Sequence, residues 1–211
     1  MISERTIYLL RHGESETNRQ RIFAGRKLNP ALTSEGREIV KLQSGRITGL
    51  GLKEIFSSPM LRARQTAEIV AKQCGLKVKY SADLEEVDVG SLNGLSLDDP
   101  NHYAVYTYAV NQWETGHSEY AIPGGESLQQ VRVRFDRMLP LVLDGITPGP
   151  ILLVGHGVLW MTVLWMYCHV HGEPMNKYYM GRAHLSEVHL KENQMTMVKF
   201  NIAPSDLVVN S

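Results

Sequence analysis

The stretch IYLLRHGES, Ile7–Ser15, decides how the rest of the chain is read. Four apolar residues run together and Gly13 follows shortly, the mark of a short strand buried on both faces, placed at Thr6–Leu10. A core strand has no packing reason to end in a cation and an imidazole, Arg11 and His12. A second stretch repeats the pattern: PILLV, Pro150–Val154, leads straight into Gly155-His156-Gly157. In open parallel sheets the carboxyl ends of the strands line the ligand crevice. Both histidines are therefore expected at one edge of one sheet, and the plainer alternative is two unrelated loop histidines. Gly13, Gly155 and Gly157 permit tight turns and close backbone approach.

Outward from these strands, the pattern alternates. Thr33–Ile47 reads as a helix with Thr33 as N-cap, and Glu54–Ser57 as a second strand. Ser58-Pro59 predicts a helix start, with Ala63, Ala67, Val70, Ala71 and Cys74 on one face and Gly75 closing it. Leu76–Tyr80 reads as a third strand, Ser127–Val142 as a helix, and Ala183–Leu190 with Met195–Ile202 as a hairpin turning near Glu192-Asn193. Between Glu86 and Gly125 the periodicity weakens, which suggests an insertion at about 93–123 carrying one helix. The expectation is one α/β domain over 1–211: a three-layer sandwich with a mostly parallel central sheet flanked by helices, and a small helical insertion over the active site.

Composition narrows the function. The chain has 211 residues, 43% hydrophobic, with 22 Lys plus Arg against 22 Asp plus Glu. A balanced charge argues against nucleic acid or an anionic membrane as partner, and leaves room for a local basic pocket. Two cysteines, Cys74 and Cys168, make no disulfide framework and suit a reducing, cytoplasmic setting. The longest mostly apolar stretch, Val158–Val170, is shorter than the roughly 20 residues a membrane span requires.

The junction SSPMLRARQTA, Ser57–Ala67, supplies the anion chemistry. Arg62 falls in the first helical turn, where unpaired backbone N–H groups favour anions and a guanidinium adds a two-pronged grip on phosphate. Arg64 lies roughly 200° around the helix from it, so the two cannot share a face. Arg62 is the one expected in the crevice.

Together these residues resemble the histidine phosphatase superfamily, in its phosphoglycerate-mutase-like branch. The resemblance is carried by Arg11-His12-Gly13-Glu14-Ser15 with Asn18, Leu32-Thr33 with Gly36, SSPMLRARQTA, Leu84 with Glu86 and Gly90, Pro123–Ser127, and Gly155-His156-Gly157, in the family's order. It implies that His12 is the nucleophile and becomes a phosphohistidine. It implies that Arg11, Arg62 and His156, with Gly157 beside them, form the phosphate pocket and that Asn18 adds an amide donor. Ser15 is a weaker candidate whose alternative is the N-cap of a short helix. Glu85, Glu86 and Asp88 are indistinguishable by charge alone; the Leu-x-Glu-x-x-x-Gly pattern selects Glu86 as general acid, with crowding by the other carboxylates expected to assist it. The resemblance implies no metal and no cofactor.

The reading is a histidine-acid-type phosphatase, a phosphomonoesterase that hydrolyses a small phosphorylated metabolite; a homodimer is compatible with it. The alternatives are a phosphoglycerate-type mutase and a non-catalytic module that binds a phospho-ligand. The family's mutases carry a longer insertion after the Glu-x-x-x-Gly element, and the form Pro-Gly-Gly-Glu-Ser is commoner among its phosphatases. Asn29 stands where the family often has Asp, predicting a lost loop contact. The insertion aromatics Tyr103, Tyr106, Tyr108 and Trp113 are expected to pack the insertion more than to line a pocket, and His184, near a strand start, is a further residue that could face the site.

Overall fold

The computed structural model describes residues 4–143, 148–168, 172–191 and 194–204. Its sheet begins with β1 (Glu4–Arg11), which pairs in parallel with β4 (Ile151–Gly155) in the register Ile7 to Ile151 through Arg11 to Gly155. Both strands thus end side by side at one edge. Beyond β4 lie β2 (Glu54–Ser57) and β3 (Val78–Tyr80), also parallel; on the other flank β5 (Leu185–Lys191) and β6 (Gln194–Ile202) run antiparallel. The order is β3-β2-β4-β1-β5-β6.

Alternation along the strands makes the three layers. Ile7, Leu9, Phe56, Ile151 and Leu153 point to one face, where they meet Phe135, Met138, Trp160 and Leu164. These belong to α5 (Leu128–Asp136), α6 (Met138–Leu143) and α7 (Gly157–Tyr167). Tyr8, Leu10, Ile55, Leu152 and Val154 point the other way, onto Val40 and Ile47 of α2 (Ser34–Thr48) and Ala63, Ala67 and Val70 of α3 (Leu61–Cys74). At about 25 cal/mol per Å² of apolar surface removed from water, these two interfaces dominate the stability of the fold. A short helix, α1 (Glu16–Arg19), follows β1. The insertion carries α4 (Pro100–Glu114), which closes a third, smaller apolar cluster containing Phe23, Val89, Leu92, Ala109 and Ile122.

Several boundaries depart from the sequence reading. α3 starts at Leu61, not at Ser58-Pro59, because the Ser58 hydroxyl is engaged elsewhere: it accepts from the Met60 N–H at 3.2 Å and meets His156 Nε2 at 2.9 Å. Asn29 takes the capping role, its Oδ1 accepting from Leu61 N–H at 2.6 Å. The single helix expected over Ser127–Val142 breaks at Arg137. Pro140 lacks the N–H that would have reached the Asp136 carbonyl, and its ring crowds that turn. β3 begins at Val78, two residues later than expected. The hairpin turn at Glu192-Asn193 lies outside the described residues. No helix among the described residues is long and apolar enough to cross a membrane.

Candidate active site

The carboxyl ends of β1 and β4 bring His12 and His156 edge to face, with ring centroids 5.1 Å apart. Both rings are buried. His12 Nδ1 lies 2.6 Å from the Gly13 carbonyl oxygen. A carbonyl only accepts, so Nδ1 carries the proton and Nε2 is left unprotonated with its lone pair as an acceptor. That lone pair accepts from Arg62 Nε at 3.3 Å. Burial, with the Arg62 and Arg11 guanidiniums close by, pushes the His12 imidazole well below its ordinary pKa and keeps it neutral. Burial first, then the Arg62 guanidinium and the neighbouring His12, push the His156 imidazole the same way. Its Nε2 meets Ser58, while its buried Nδ1 has no hydrogen-bond partner among the described residues.

Arg62 projects inward from the first turn of α3 and is 1% exposed, whereas Arg64 turns out to a surface pair with Glu68. Besides His12, the Arg62 guanidinium donates to the carbonyls of Leu28 at 3.2 Å and Ala24 at 3.0 Å. Burial lowers its pKa to about 10, a loss that nearby Glu86 partly offsets and Arg11 deepens. The group stays charged at neutral pH. Arg11 donates to the Met180 carbonyl at 2.6 Å and the Tyr179 hydroxyl at 3.0 Å, and its guanidinium carbon lies 4.6 Å from the Tyr179 ring centroid. Its buried Nε has no partner among the described residues. Gly157 is what allows this seat: a Cβ there would come within 2.9 Å of the Arg11 guanidinium carbon and 3.0 Å of the Tyr179 ring.

Glu86 is 8% exposed and sits against the N-terminus of α7. Its carboxylate accepts from the backbone N–H groups of Val87 (2.9 Å), Leu159 (2.8 Å) and Val158 (3.2 Å). Its position is fixed by a crossing of two loops. Gly90 has φ +54, and a Cβ there would meet the Pro123 carbonyl at 2.4 Å. Gly125 likewise lies against the Asp88 carbonyl, so the two glycine-bearing elements interlock. The carboxylate crowding expected around Glu86 is absent: Glu85 pairs with Arg26, and Asp88 accepts from the Gly90 N–H and the Asn93 amide. Arg26 in turn donates to the Glu86 carbonyl and pairs with Glu126, which forms a buried pair with Arg134.

Beside this cluster opens a cavity of about 370 Å³, within the ordinary range for small-molecule sites. Of the sequence-predicted residues, His12, Asn18, Arg62 and Glu86 line it; Arg11, Ser15, His156 and Gly157 do not. Arg11, His156 and Gly157 pack behind or beside His12. Ser15 is the N-cap of α1, and its N–H and hydroxyl both reach Asn18 Oδ1, at 3.2 and 3.0 Å. With Oδ1 so engaged, the amide nitrogen is the group Asn18 has left to offer.

Sequence reasoning missed the rest of the lining. Phe23, Ala24 and Gly25 come from the loop after α1, and Asn176 and Tyr179 from the segment after α7. The apolar pair Ile22-Phe23 inside a charged loop was the available signal. The insertion aromatics divide: Tyr103 and Tyr106 line the cavity, the less favoured of the two expectations, while Trp113 packs in the core and Tyr108 meets Tyr120 edge-on. Burial holds the Tyr106 hydroxyl protonated, well above its ordinary pKa. His184 turns from the site to the Asn201 carbonyl, at 3.0 Å. His169 and His171 lie outside the described residues.

A neutral, oriented imidazole, a buried arginine and a fixed carboxylate line one cavity, with a second buried arginine and a second histidine packed beside the imidazole. The sequence matches the histidine phosphatase superfamily (branch 1) over residues 7–203, and the chain belongs to that family. Over 156 residues it is 33% identical to a protein of Salmonella enteritidis named probable phosphoglycerate mutase GpmB, covering 72% of this chain and 69% of that one. Among solved structures, the mycobacterial glucosyl-3-phosphoglycerate phosphatase superposes with TM-score 0.79 at 21% identity, covering 95% of this chain and all of that one. A phosphoglycerate mutase from Bacillus anthracis superposes with TM-score 0.80 at 20% identity, covering 95% and 94%. Both structures share the fold.

Proposed function

We propose that the protein is a phosphomonoesterase working through a phosphohistidine. The observation that carries this reading is the state of His12: its Nδ1 proton is held by the Gly13 carbonyl, and its Nε2 lone pair faces Arg62 at the cavity that Glu86 also lines. In the first step Nε2 bonds to phosphorus and the ester P–O bond breaks. The departing alkoxide takes a proton from Glu86 in its protonated form. In the second step water attacks phosphorus, Glu86 takes a proton from it, and the P–N bond breaks with its electron pair returning to Nε2. The sum is ester plus water giving alcohol plus inorganic phosphate.

Charge accumulating on the non-bridging oxygens needs fixed donors. Arg62 is the nearest, since its Nε must pass from the ring to a phosphoryl oxygen once Nε2 is phosphorylated. Arg11 Nε and His156 Nδ1, both buried without hydrogen-bond partners among the described residues, and the Asn18 amide are the remaining donors assigned to this task. Gly157 acts by leaving Arg11 its room, and Ser15 by orienting Asn18. No step requires a metal ion or a cofactor, which activity in the presence of a chelator tests directly.

The likeness to a protein named as a mutase keeps one rival in view: the phosphoryl group could return to a second substrate hydroxyl instead of passing to water. Single-turnover kinetics with labelled substrate distinguish the two. Stoichiometric free phosphate, with label passing through His12, is the expected result; transfer to phosphoglycerate with little free phosphate overturns it. Tight binding of phosphate with no turnover of any ester would indicate a binding module instead.

A further inference from the structure

Resting on the phosphatase reading, we propose that the alcohol half of the substrate is uncharged and largely apolar, with an aromatic ring. Beyond the phosphoryl end, the cavity wall is Phe23, Val89, Leu97, Tyr103, Tyr106 and Met161. Phe23 and Tyr106 stand 5.7 Å apart by centroid, and Tyr103 and Tyr106 6.2 Å, so three rings follow one another from the interior to the mouth. Offset and edge-on contacts at these spacings suit a further ring. The wall is held as a unit. The loop bearing Ile22 and Phe23 pairs with the start of the insertion, Phe23 N–H donating to Leu95 at 2.9 Å and Leu97 N–H to Arg21 at 2.8 Å.

Charge points the same way. Arg62 is the one cation among the described residues lining the cavity, and the phosphoryl group needs it. The arginines on the surrounding loops already have carboxylate partners: Arg21 with Asp98, Arg26 with Glu85 and Glu126, Arg182 with Glu14; Lys27 is exposed and does not line the cavity. A second anionic group on the substrate, such as the carboxylate of a phosphoglycerate, would lie in an apolar wall with Glu86 nearby and no counter-ion, an arrangement that desolvation penalises. Polyhydroxylated sugars would meet few hydrogen-bonding partners: outside the phosphoryl end the polar side chains on offer are Asn176, which is exposed, the Tyr103 and Tyr106 hydroxyls, and the Tyr179 hydroxyl, which already accepts from Arg11.

The test compares kcat/KM for 2-phenylethyl phosphate with those for 3-phosphoglycerate and glucose 6-phosphate, all esters of aliphatic alcohols, so that leaving-group acidity does not set the ratio. Burying one phenyl ring predicts a preference of about 10- to 100-fold for the phenylethyl ester. Tyr103 is 51% exposed, so Tyr103→Arg is expected to fold and, by adding a cation at the mouth, to shift the ratio toward 3-phosphoglycerate. Phosphate release that depends on His12 but favours 3-phosphoglycerate or glucose 6-phosphate overturns this inference and leaves the phosphatase reading standing. Failure to release phosphate from any ester, or to form a phosphohistidine, overturns both.

Discussion

The two ends of the cavity are built by different means. At the inner end, strand tips and the first turn of α3 deliver polar side chains into the buried interior: His12, His156 and Arg62 are each 2% exposed or less. Their positions are fixed by the sheet register and by hydrogen bonds to backbone carbonyls. The mouth is made by a loop and an inserted helix, carries apolar side chains, and is tied together by a few backbone hydrogen bonds. Rigid, buried polarity suits charge that develops only in a transition state. An apolar wall on connecting segments suits recognition, since it changes without disturbing the sheet.

The sharpest way to break this contrast is His12→Ala. It should remove phosphate release from every ester alike, on the order of 10⁴-fold or more, with no phosphohistidine by mass spectrometry; residual turnover that still discriminates esters would place the chemistry elsewhere. Arg62→Ala comes next, with a loss of about 10²- to 10³-fold in kcat, against a change within about 2-fold for Arg64→Ala. Equal effects would mean that the outward face of α3 matters as much as the inward one. Glu86→Gln should cost about 10²-fold for alkyl esters and clearly less for p-nitrophenyl phosphate, whose leaving group needs no proton. Uniform loss across leaving groups would take Glu86 out of the acid role.

The smallest effect concerns stability. His12 and His156 both have folded-state pKa values well below 6.5, so the unfolded chain binds more protons than the folded one as pH falls past that value. Their contribution is fully present above pH 6.5 and is lost below it, at about 1.4 kcal/mol per pH unit for each ring. Urea unfolding at pH 7, 6 and 5 measures this slope, and His156→Asn should flatten it. A slope unchanged in that variant would show that other groups set the acid sensitivity.

The contrast also explains what could be read without coordinates. The strand tips were legible because an apolar run ending in Arg-His or Gly-His violates the logic of a core strand, and two such violations rarely coincide. Arg62 was distinguishable from Arg64 because two residues on a helix reverse the face. The mouth was not legible. Phe23, Tyr106 and Tyr179 sit in segments without periodicity, where an aromatic residue looks the same whether it packs or lines a cavity. The role of Asn29 was hidden for a related reason: a side chain capping a helix more than thirty residues away leaves no local pattern. The break at Arg137 was predictable from Pro140, and the apolar spacing of Ser127–Val142 masked it.

The adjacency of β1 and β4 has a consequence for how the molecule assembles. These neighbours in the sheet lie far apart along the chain, with β2, β3 and the insertion between them. Parallel pairing across so long a loop forms slowly, because closure entropy must be met before the contact rewards it. During synthesis His12 emerges early and waits for His156 until most of the polypeptide has left the ribosome. Recovery of turnover after dilution from denaturant therefore tracks closure of the sheet centre, and should lag the return of helical circular dichroism.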